Sequence, residues 1–205
     1  MNIELIAYTP DPENVIEQAA RVCYMSKPKD IEARTKFLRN IIKSGHESVI
    51  EHATATFKIS GVSRALTHQL VRHRIASYSQ QSQRYCSFEK ISSSDDVWYV
   101  TPPDVLKNER ALAIYENFMK FVVDTYEELH KCGIKNEDCR FVLPNACKTQ
   151  IFMSMNFRAL RHFASLRLDP HAQWEIRAMA KEMCFKLNDI APAIFGDIYE
   201  KMTNE

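Results

Sequence analysis

The stretch Arg72-His73-Arg74-Ile75-Ala76-Ser77-Tyr78-Ser79-Gln80-Gln81-Ser82-Gln83-Arg84-Tyr85 gathers three arginines and a histidine among small hydroxyl and amide side chains, with no carboxylate among them. A guanidinium fork matches phosphate and carboxylate oxygens two at a time, so arginines at this density are suited to gripping an anion. Widening the window sharpens the point. Between Glu51 and Glu89 there is no Asp or Glu, while Lys58, Arg64, Arg72, Arg74 and Arg84 all fall inside, a local charge of +5 in a chain whose total is +1. A second acid-free window, between Asp138 and Asp169, holds Arg140, Lys148, Arg158, Arg161 and Arg167. Together the windows carry +10 and leave −9 for the rest of the chain. That distribution argues for a focused anion pocket and against the uniformly basic coat of a protein for long nucleic acids. The alternative is that the fold brings acids from elsewhere to these arginines.

Glycine is scarce: Gly45, Gly61, Gly133 and Gly196 are too far apart to form a phosphate-cradling loop, which excludes a Rossmann fingerprint and a P-loop. Side chains must therefore hold any nucleotide phosphates. Arg72, Arg74 and Arg84 cannot share one helical face, so a turn is expected to curl them around the ligand, with Gln69, Gln80 and Gln83 adding neutral donors. Tyr78 and Tyr85 could stack on a ring or pack in the core. Ser82 has no base at a spacing that would make it a nucleophile and is read as a hydroxyl donor to phosphate. His46, His52, His68 and His73 lie close in sequence, but Gly45-His46-Glu47-Ser48-Val49-Ile50-Glu51-His52 is not H-E-x-x-H, and residues five apart do not share a helical face, so no metal site is expected. Cys23, Cys86, Cys132, Cys139, Cys147 and Cys184 contain no C-x-x-C pair and read as reduced thiols, Cys86 included as a packing residue.

The elements that must position these groups follow from periodicity and punctuation. Ile3–Thr9 reads as a strand, and Asp11-Pro12 offers a cap and an N1 proline for a helix to Tyr24. Asp30 caps a second helix with Ile31, Phe37, Leu38, Ile41 and Ile42 on its apolar face and Gly45 as its stop. Ala53–Ser60 alternates as a strand, and Val62–His73 reads as a helix that delivers the arginine stretch into a loop. After Ser92-Ser93-Ser94-Asp95-Asp96 and Pro102-Pro103, a long helix runs to Cys132, stopped by Gly133, with Leu112, Tyr115, Met119, Val122, Tyr126 and Leu129 at helical spacing. Asn136 caps a short helix interrupted near Pro144. Thr149–Asn156 is a strand, followed by helices over Phe157–Leu166 and His171–Asp189. The result is an α/β chain of the α+β type, a small central sheet flanked by helical lobes.

At 205 residues, 45% apolar and 26% charged, the chain reads as one ordinary globular domain over 1–205. Met1-Asn2-Ile3-Glu4-Leu5 lacks the basic start and apolar run of a signal peptide, and no stretch approaches the ~18 apolar residues needed to span a bilayer. A cytoplasmic protein that does not engage membranes is expected.

Arg72-His73-Arg74, seven further residues and then Ser82 resemble the R-H-R-x7-S signature of the flavin-dependent thymidylate synthases, and Gln83-Arg84-Tyr85 continue the likeness. Gly45-His46-Glu47-Ser48 with Glu51-His52 is similar to that family's flavin-contacting histidine region. Asn156, Arg158, His162, Arg167 and His171-Ala172-Gln173-Trp174-Glu175 are similar to its C-terminal block. The resemblance implies the family fold and conversion of dUMP to dTMP, with methylenetetrahydrofolate as carbon donor, FAD reduced by NADPH as hydride carrier, and no cysteine nucleophile. It implies a homotetramer with shared sites and no nucleic-acid partner. It assigns His46, Ser48, Glu51, Arg72, His73, Arg74, Gln80, Asn156, Arg158, His162 and His171 to the flavin. It assigns Gln69, Leu70, Val71, Arg72, Gln80, Gln81, Ser82, Gln83, Arg84, Arg140 and Arg167 to dUMP, with Arg167 as the catalytic cation at the uracil N3/O4 edge.

Two departures stand out. Ser79-Gln80 occupies the place of the family's common Asn-Glu, and His162 that of an Asn in some members. Two other readings remain open on the residues: a single-stranded nucleic-acid module stacking bases on Tyr78, Tyr85 and Phe88, and a flavoprotein of this fold that only oxidises NADPH.

Overall fold

Alternation along the two longest strands sets the architecture. In β2 (Thr54–Ser63), Ala55, Phe57 and Ile59 are buried while Thr54 is exposed, and in β4 (Lys148–Asn156) Thr149, Ile151, Met153 and Met155 are buried in the same every-other pattern. The computed structural model describes residues 1–22, 25–27, 30–86 and 97–204. Its sheet has the order β1-β2-β4-β3, with β1 at Asn2–Tyr8 and β3 at Ser77–Gln80. Phe157 N–H donates to the Ala53 carbonyl at 2.9 Å, Thr56 and Ser154 hydroxyls meet at 2.8 Å, and Ala65 N–H donates to Asn145 at 2.9 Å. Partner numbers fall on one strand as they rise on the other, so β2 and β4 run antiparallel. The strand at Ser77–Gln80 was expected to be loop.

Gly61, at φ +68°, lies where the alternation breaks and Val62 and Ser63 are both buried, a backbone state that glycine adopts without strain. The helix expected from Val62 therefore starts later, as α3 (Arg64–Leu70), with Ser63 Oγ accepting the Leu66 N–H at 3.0 Å. It also ends earlier, and His73 lies beyond it.

The chain forms two compact units. The first comprises Met1–Ile59, Gln69–Ser79 and Phe152–Glu205. It contains α1 (Pro12–Val22) and α2 (Ile31–Lys43), and Asp30 caps α2 by accepting the Ala33 N–H at 2.8 Å. Leu38 of α2 is buried, whereas Ile31, expected on the apolar face, is 75% exposed. Glu17, fully buried on α1, is held by Arg21 Nε at 2.8 Å and Arg34 Nε at 3.0 Å. A 3₁₀ turn covers Glu47–His52.

The second unit comprises Ser60–His68 and Gln80–Ile151. Its long helix is split into α4 (Pro103–Leu106) and α5 (Glu109–Lys131), because Asn108 caps the second piece by accepting the Ala111 N–H at 3.0 Å. Met119, Val122 and Tyr126 of α5 pack with Trp98, Cys139 and Cys147, and Gly133 follows at φ +80°. In α6 (Asn136–Cys139) the capping position falls on Lys135, while Asn136 Oδ1 meets His130 Nε2 at 2.9 Å and locks the turn after α5. The 3₁₀ turn Arg140–Val142 follows.

Three C-terminal helices return to the first unit: α7 (Phe157–Arg167), α8 (Trp174–Ile190) and α9 (Pro192–Thr203). Helix α8 begins three residues later than expected, since Gln173 Oε1 caps it by accepting from Glu175 at 3.0 Å and Ile176 at 3.1 Å. Helix α9 escaped the sequence reading although Pro192 marks its first turn. Tyr24, Cys23, Phe88 and Ser92–Asp96 lie outside the described residues.

Candidate functional site

Among the described residues, the two acid-free windows resolve into paired and unpaired cations. Lys58 meets Glu4 at 3.6 Å, Arg84 meets Glu137 at 3.1 Å, Arg158 meets Glu51 at 2.6 Å, and Arg161 meets Asp197 at 2.7 Å. For these the fold does bring an acid from elsewhere. Arg72 and Arg74 are exposed and have no carboxylate partner among the described residues, and Arg167 bonds only to neutral groups.

Those three arginines line one cavity of about 790 Å³ in the first unit. Arg158, His73 and His162 line it too, as do Glu47 and Glu51 from the 3₁₀ turn and Asn156, whose Oδ1 caps α7 by accepting the Ala159 N–H at 2.8 Å. Ile75, Met155, Ala159 and Leu166 supply apolar wall. Cationic donors on a partly apolar surface suit a large ligand that carries both negative charge and flat rings.

The loop that carries Arg72, His73 and Arg74 is held from two sides. Tyr78 Oη donates to the carbonyls of Leu70 at 2.8 Å and His73 at 3.0 Å, sharing one proton between both ends of the turn. Burial pushes the Tyr78 phenol up to about 12, with Arg167 acting weakly against it, so the proton stays through the physiological range. Arg167 donates Nε to His73 Nε2 at 2.9 Å and Nη2 to the Gln69 carbonyl at 3.2 Å. His73 must therefore be an acceptor at Nε2, which puts its own proton on Nδ1. Burial, then Arg167, then His162 lower the His73 pKa to about 4, so the ring is neutral at pH 7. Its edge meets Phe163, 5.0 Å between centroids at 69°. Burial and Arg72 also lower the Arg167 pKa, the mark of a cation held near another without an anion between them.

Of the residues tied to the flavin by resemblance, Glu51, Arg72, His73, Arg74, Asn156, Arg158 and His162 line this cavity. His46 and Ser48 are exposed beside it in sequence but not on its wall, and His171 is exposed with Nδ1 2.9 Å from Asp169. Gln80 belongs to the second unit. There its Nε2 donates to Thr67 Oγ1 at 3.0 Å and faces Thr149 Oγ1 at 3.4 Å. Thr67 gives its own proton to the Arg64 carbonyl at 2.9 Å, so it can only accept from Gln80; a carboxylate could not take this place unchanged.

Of the residues tied to dUMP, Gln69, Leu70, Val71, Arg72 and Arg167 lie in the first unit, and Gln81, Ser82, Gln83, Arg84 and Arg140 in the second. Gln81 N–H donates to Gln150 at 3.0 Å. Ser82 then organises a turn, its carbonyl accepting from Cys86 at 3.1 Å and its Oγ from Arg84 N–H at 3.2 Å. Arg84 sits over the Tyr85 ring, 5.5 Å from its centre, at a cavity of about 470 Å³ shared with Lys135 and His130. Arg140 Nε donates to the Glu137 carbonyl at 3.1 Å.

The sequence reading missed Glu47, Ile75, Met155, Ala159 and Leu166 on the larger cavity. Ala159, His162 and Leu166 stand at i, i+3 and i+7 of α7, a periodicity that would have exposed this wall. Among the described residues, no group of three or more His, Cys, Asp or Glu is placed to hold a metal ion.

Fold and site together define an α+β protein whose larger cavity is lined by side-chain cations and the neutral His73 imidazole, without a glycine loop. Residues 4–193 match the family model described as thymidylate synthase complementing protein, and the chain belongs to that family. The flavin-dependent thymidylate synthase of Geobacter sulfurreducens is 48% identical over 205 residues, covering 96% of this chain and 86% of that one. That of Pyrococcus furiosus is 42% identical over 210 residues, covering 95% and 83%. A crystal structure of the Helicobacter pylori flavin-dependent thymidylate synthase complexed with FAD and dUMP superposes with a TM-score of 0.81 at 25% identity, covering 96% of this chain and 99% of that one.

Proposed function

We propose that this protein is a flavin-dependent thymidylate synthase that converts dUMP to dTMP, taking carbon from methylenetetrahydrofolate. The observation that carries the reading is the cavity in which Arg72, Arg74 and Arg167 have no carboxylate partner among the described residues while apolar wall faces them. FAD fits that donor set: its pyrophosphate matches guanidinium forks and its rings match the apolar surface. Arg72, Arg74 and Arg158 would hold it, with Asn156, His162 and Glu51 as hydrogen-bonding neighbours, and when bound and reduced by NADPH it supplies the hydride.

The protein's own contribution is binding and electrostatics. Arg167 is the proposed catalytic cation, fixed by His73 and the Gln69 carbonyl so that little reorganisation is needed when charge builds on the substrate ring. Because His73 is neutral at pH 7, it orients Arg167 without adding a competing charge. Gln81, Ser82, Gln83, Arg84 and Arg140 are proposed phosphate and sugar contacts of dUMP, while His46, Ser48 and His171 are proposed flavin contacts that another protomer's cavity would use. The proposal includes a homotetramer with shared sites, residues 1–205 acting as one synthase domain, and a cytoplasmic location. No helix among the described residues is long and apolar enough to cross a membrane.

The test is dTMP formation from dUMP, methylenetetrahydrofolate and NADPH by the purified protein. Flavin absorption with NADPH oxidation but no dUMP-dependent product overturns the synthase reading in favour of an oxidase. Absence of flavin, with binding that strengthens with oligonucleotide length and collapses in salt, overturns it in favour of a nucleic-acid module.

Tyr78→Phe tests the loop. It removes the one proton shared by the Leu70 and His73 carbonyls while leaving the ring, and Leu70 keeps its bond from His73 N–H at 3.1 Å. One net hydrogen bond is worth about 0.5–1.5 kcal/mol, so flavin dissociation constants measured by fluorescence should rise about 2- to 12-fold. Unchanged affinity would show that the turn holds its shape without the phenol.

A further inference from the structure

Helix α5 buries one face and leaves a second apolar face uncovered within the second unit. Met119, Val122 and Tyr126 point into the core, whereas Ile114 is 63%, Phe118 50% and Phe121 65% exposed. These three side chains lie on one stripe that continues to Arg110 at one end and to Thr125 and Glu128 at the other, with helical spacings of four, four, three, four and three residues. Such a 3-4 run is the geometry of a seam between two helices. The hydroxyl of Thr125 is turned back onto the Phe121 carbonyl at 2.8 Å, so it has no need of water.

The stripe reads almost the same after reversal about a point between Met119 and Lys120. Laid antiparallel on itself, it sets Phe118 against Phe121 and Ile114 against Thr125, and brings Arg110 within one residue of register with Glu128, inside the reach of the long Arg side chain. An isologous contact needs that self-complementarity: each pair occurs twice, and the opposite charges fall at the two rims. Glu128 is already paired with Lys131 at 2.8 Å, but both are about 70% exposed, and so open a contact yields readily to a closer one. Arg110 is exposed and has no carboxylate partner among the described residues. A foreign partner would not require the charge at one end of the stripe to answer the charge at the other.

We infer that the Arg110–Glu128 face of α5 is a docking surface for a second copy of this chain, the two α5 helices packing antiparallel across a two-fold axis with Phe118 and Phe121 at its centre. The inference names one interface of the assembly proposed above and rests on the chain being oligomeric.

Sedimentation of the flavin-loaded protein tests it. Phe118→Asp with Phe121→Asp should lower the assembly mass by at least one halving step at micromolar concentration, with flavin content and circular dichroism showing that the fold persists. In an otherwise native chain, Arg110→Glu should weaken association about 5-fold or more, and adding Glu128→Arg should restore it, because the swapped pair is again complementary. A native protein that sediments as a monomer overturns the oligomer and this face together. An oligomer whose mass withstands both Phe replacements overturns the face alone. A charge swap that fails to rescue overturns the antiparallel register.

Discussion

Arg167→Ala is expected to lower the turnover of dTMP by about 10²-fold or more, the usual cost of removing one preorganised electrostatic stabiliser. The substitution takes away a charge that the structure holds in place with two bonds, to His73 Nε2 and to the Gln69 carbonyl, with no neutralising carboxylate among the described residues. Some of the loss will come from a looser loop, and Tyr78→Phe isolates that share, since it loosens the same turn and leaves the cation. The electrostatic role predicts that Arg167→Ala exceeds Tyr78→Phe by at least tenfold in turnover. Arg167→Lys should fall between: it keeps the charge but has no planar fork for both acceptors. A second readout is independent of catalysis. With Arg167 gone, His73 loses the cation that helps burial hold its pKa near 4, so the value should rise, visible in the ring proton shifts of a pH titration. Turnover within about threefold of the unsubstituted protein would remove Arg167 from the chemistry.

Much of this site was legible in the residues, and what was not has physical causes. Charge counting led to segments in which Arg72, Arg74 and Arg167 meet no acid among the described residues and line one cavity. The same count misjudged Arg158 and Arg161, whose carboxylates lie more than thirty residues away and are delivered by the 3₁₀ turn and by α9. Helix ends were predicted where a local side chain caps them, as at Asp30 on α2. They were misplaced at α3, where a glycine of positive φ prolongs β2 and a distant phenol takes the last carbonyl. A cap five to eight residues away across a turn leaves no periodic trace. Gln80 shows the same limit. Its side chain reads as a free donor, yet a Thr67 hydroxyl already committed to Arg64 fixes it as a structural one.

The opposite side of α7 carries the second large expectation: Asp197→Ala should destabilise the fold by about 2–3 kcal/mol at neutral pH. Arg161 has only 12% of its side chain exposed, and Asp197 receives both of its terminal nitrogens at 2.7 Å, while Nη1 also donates to the Ile194 carbonyl of α9. Its buried Nε makes no hydrogen bond and has only the Glu47 carboxylate, at 3.5 Å. Burial works against the Arg161 charge, and Asp197 with Glu47 overcomes it, holding the pKa above the ordinary value. Without Asp197 that charge is left in a poorly hydrated place with one distant partner. Solvent screening sets the figure below the range for a fully buried pair, because the Asp197 side chain is 55% exposed. The loss should follow pH. Burial raises the Asp197 pKa, but the hydrogen bonds and charge of Arg161 outweigh it and bring it below the usual aspartate value. A folded pKa below the unfolded one means the stabilisation is complete above about pH 4 and disappears as pH falls through the folded value. Urea unfolding at pH 7 should therefore separate the two proteins, and the gap should narrow as the pH is lowered below about 4. Arg161→Met combined with Asp197→Ala should recover part of the loss, because it removes the stranded cation as well. A pH 7 difference under about 0.5 kcal/mol would mean that Glu47 and the Ile194 carbonyl suffice for Arg161.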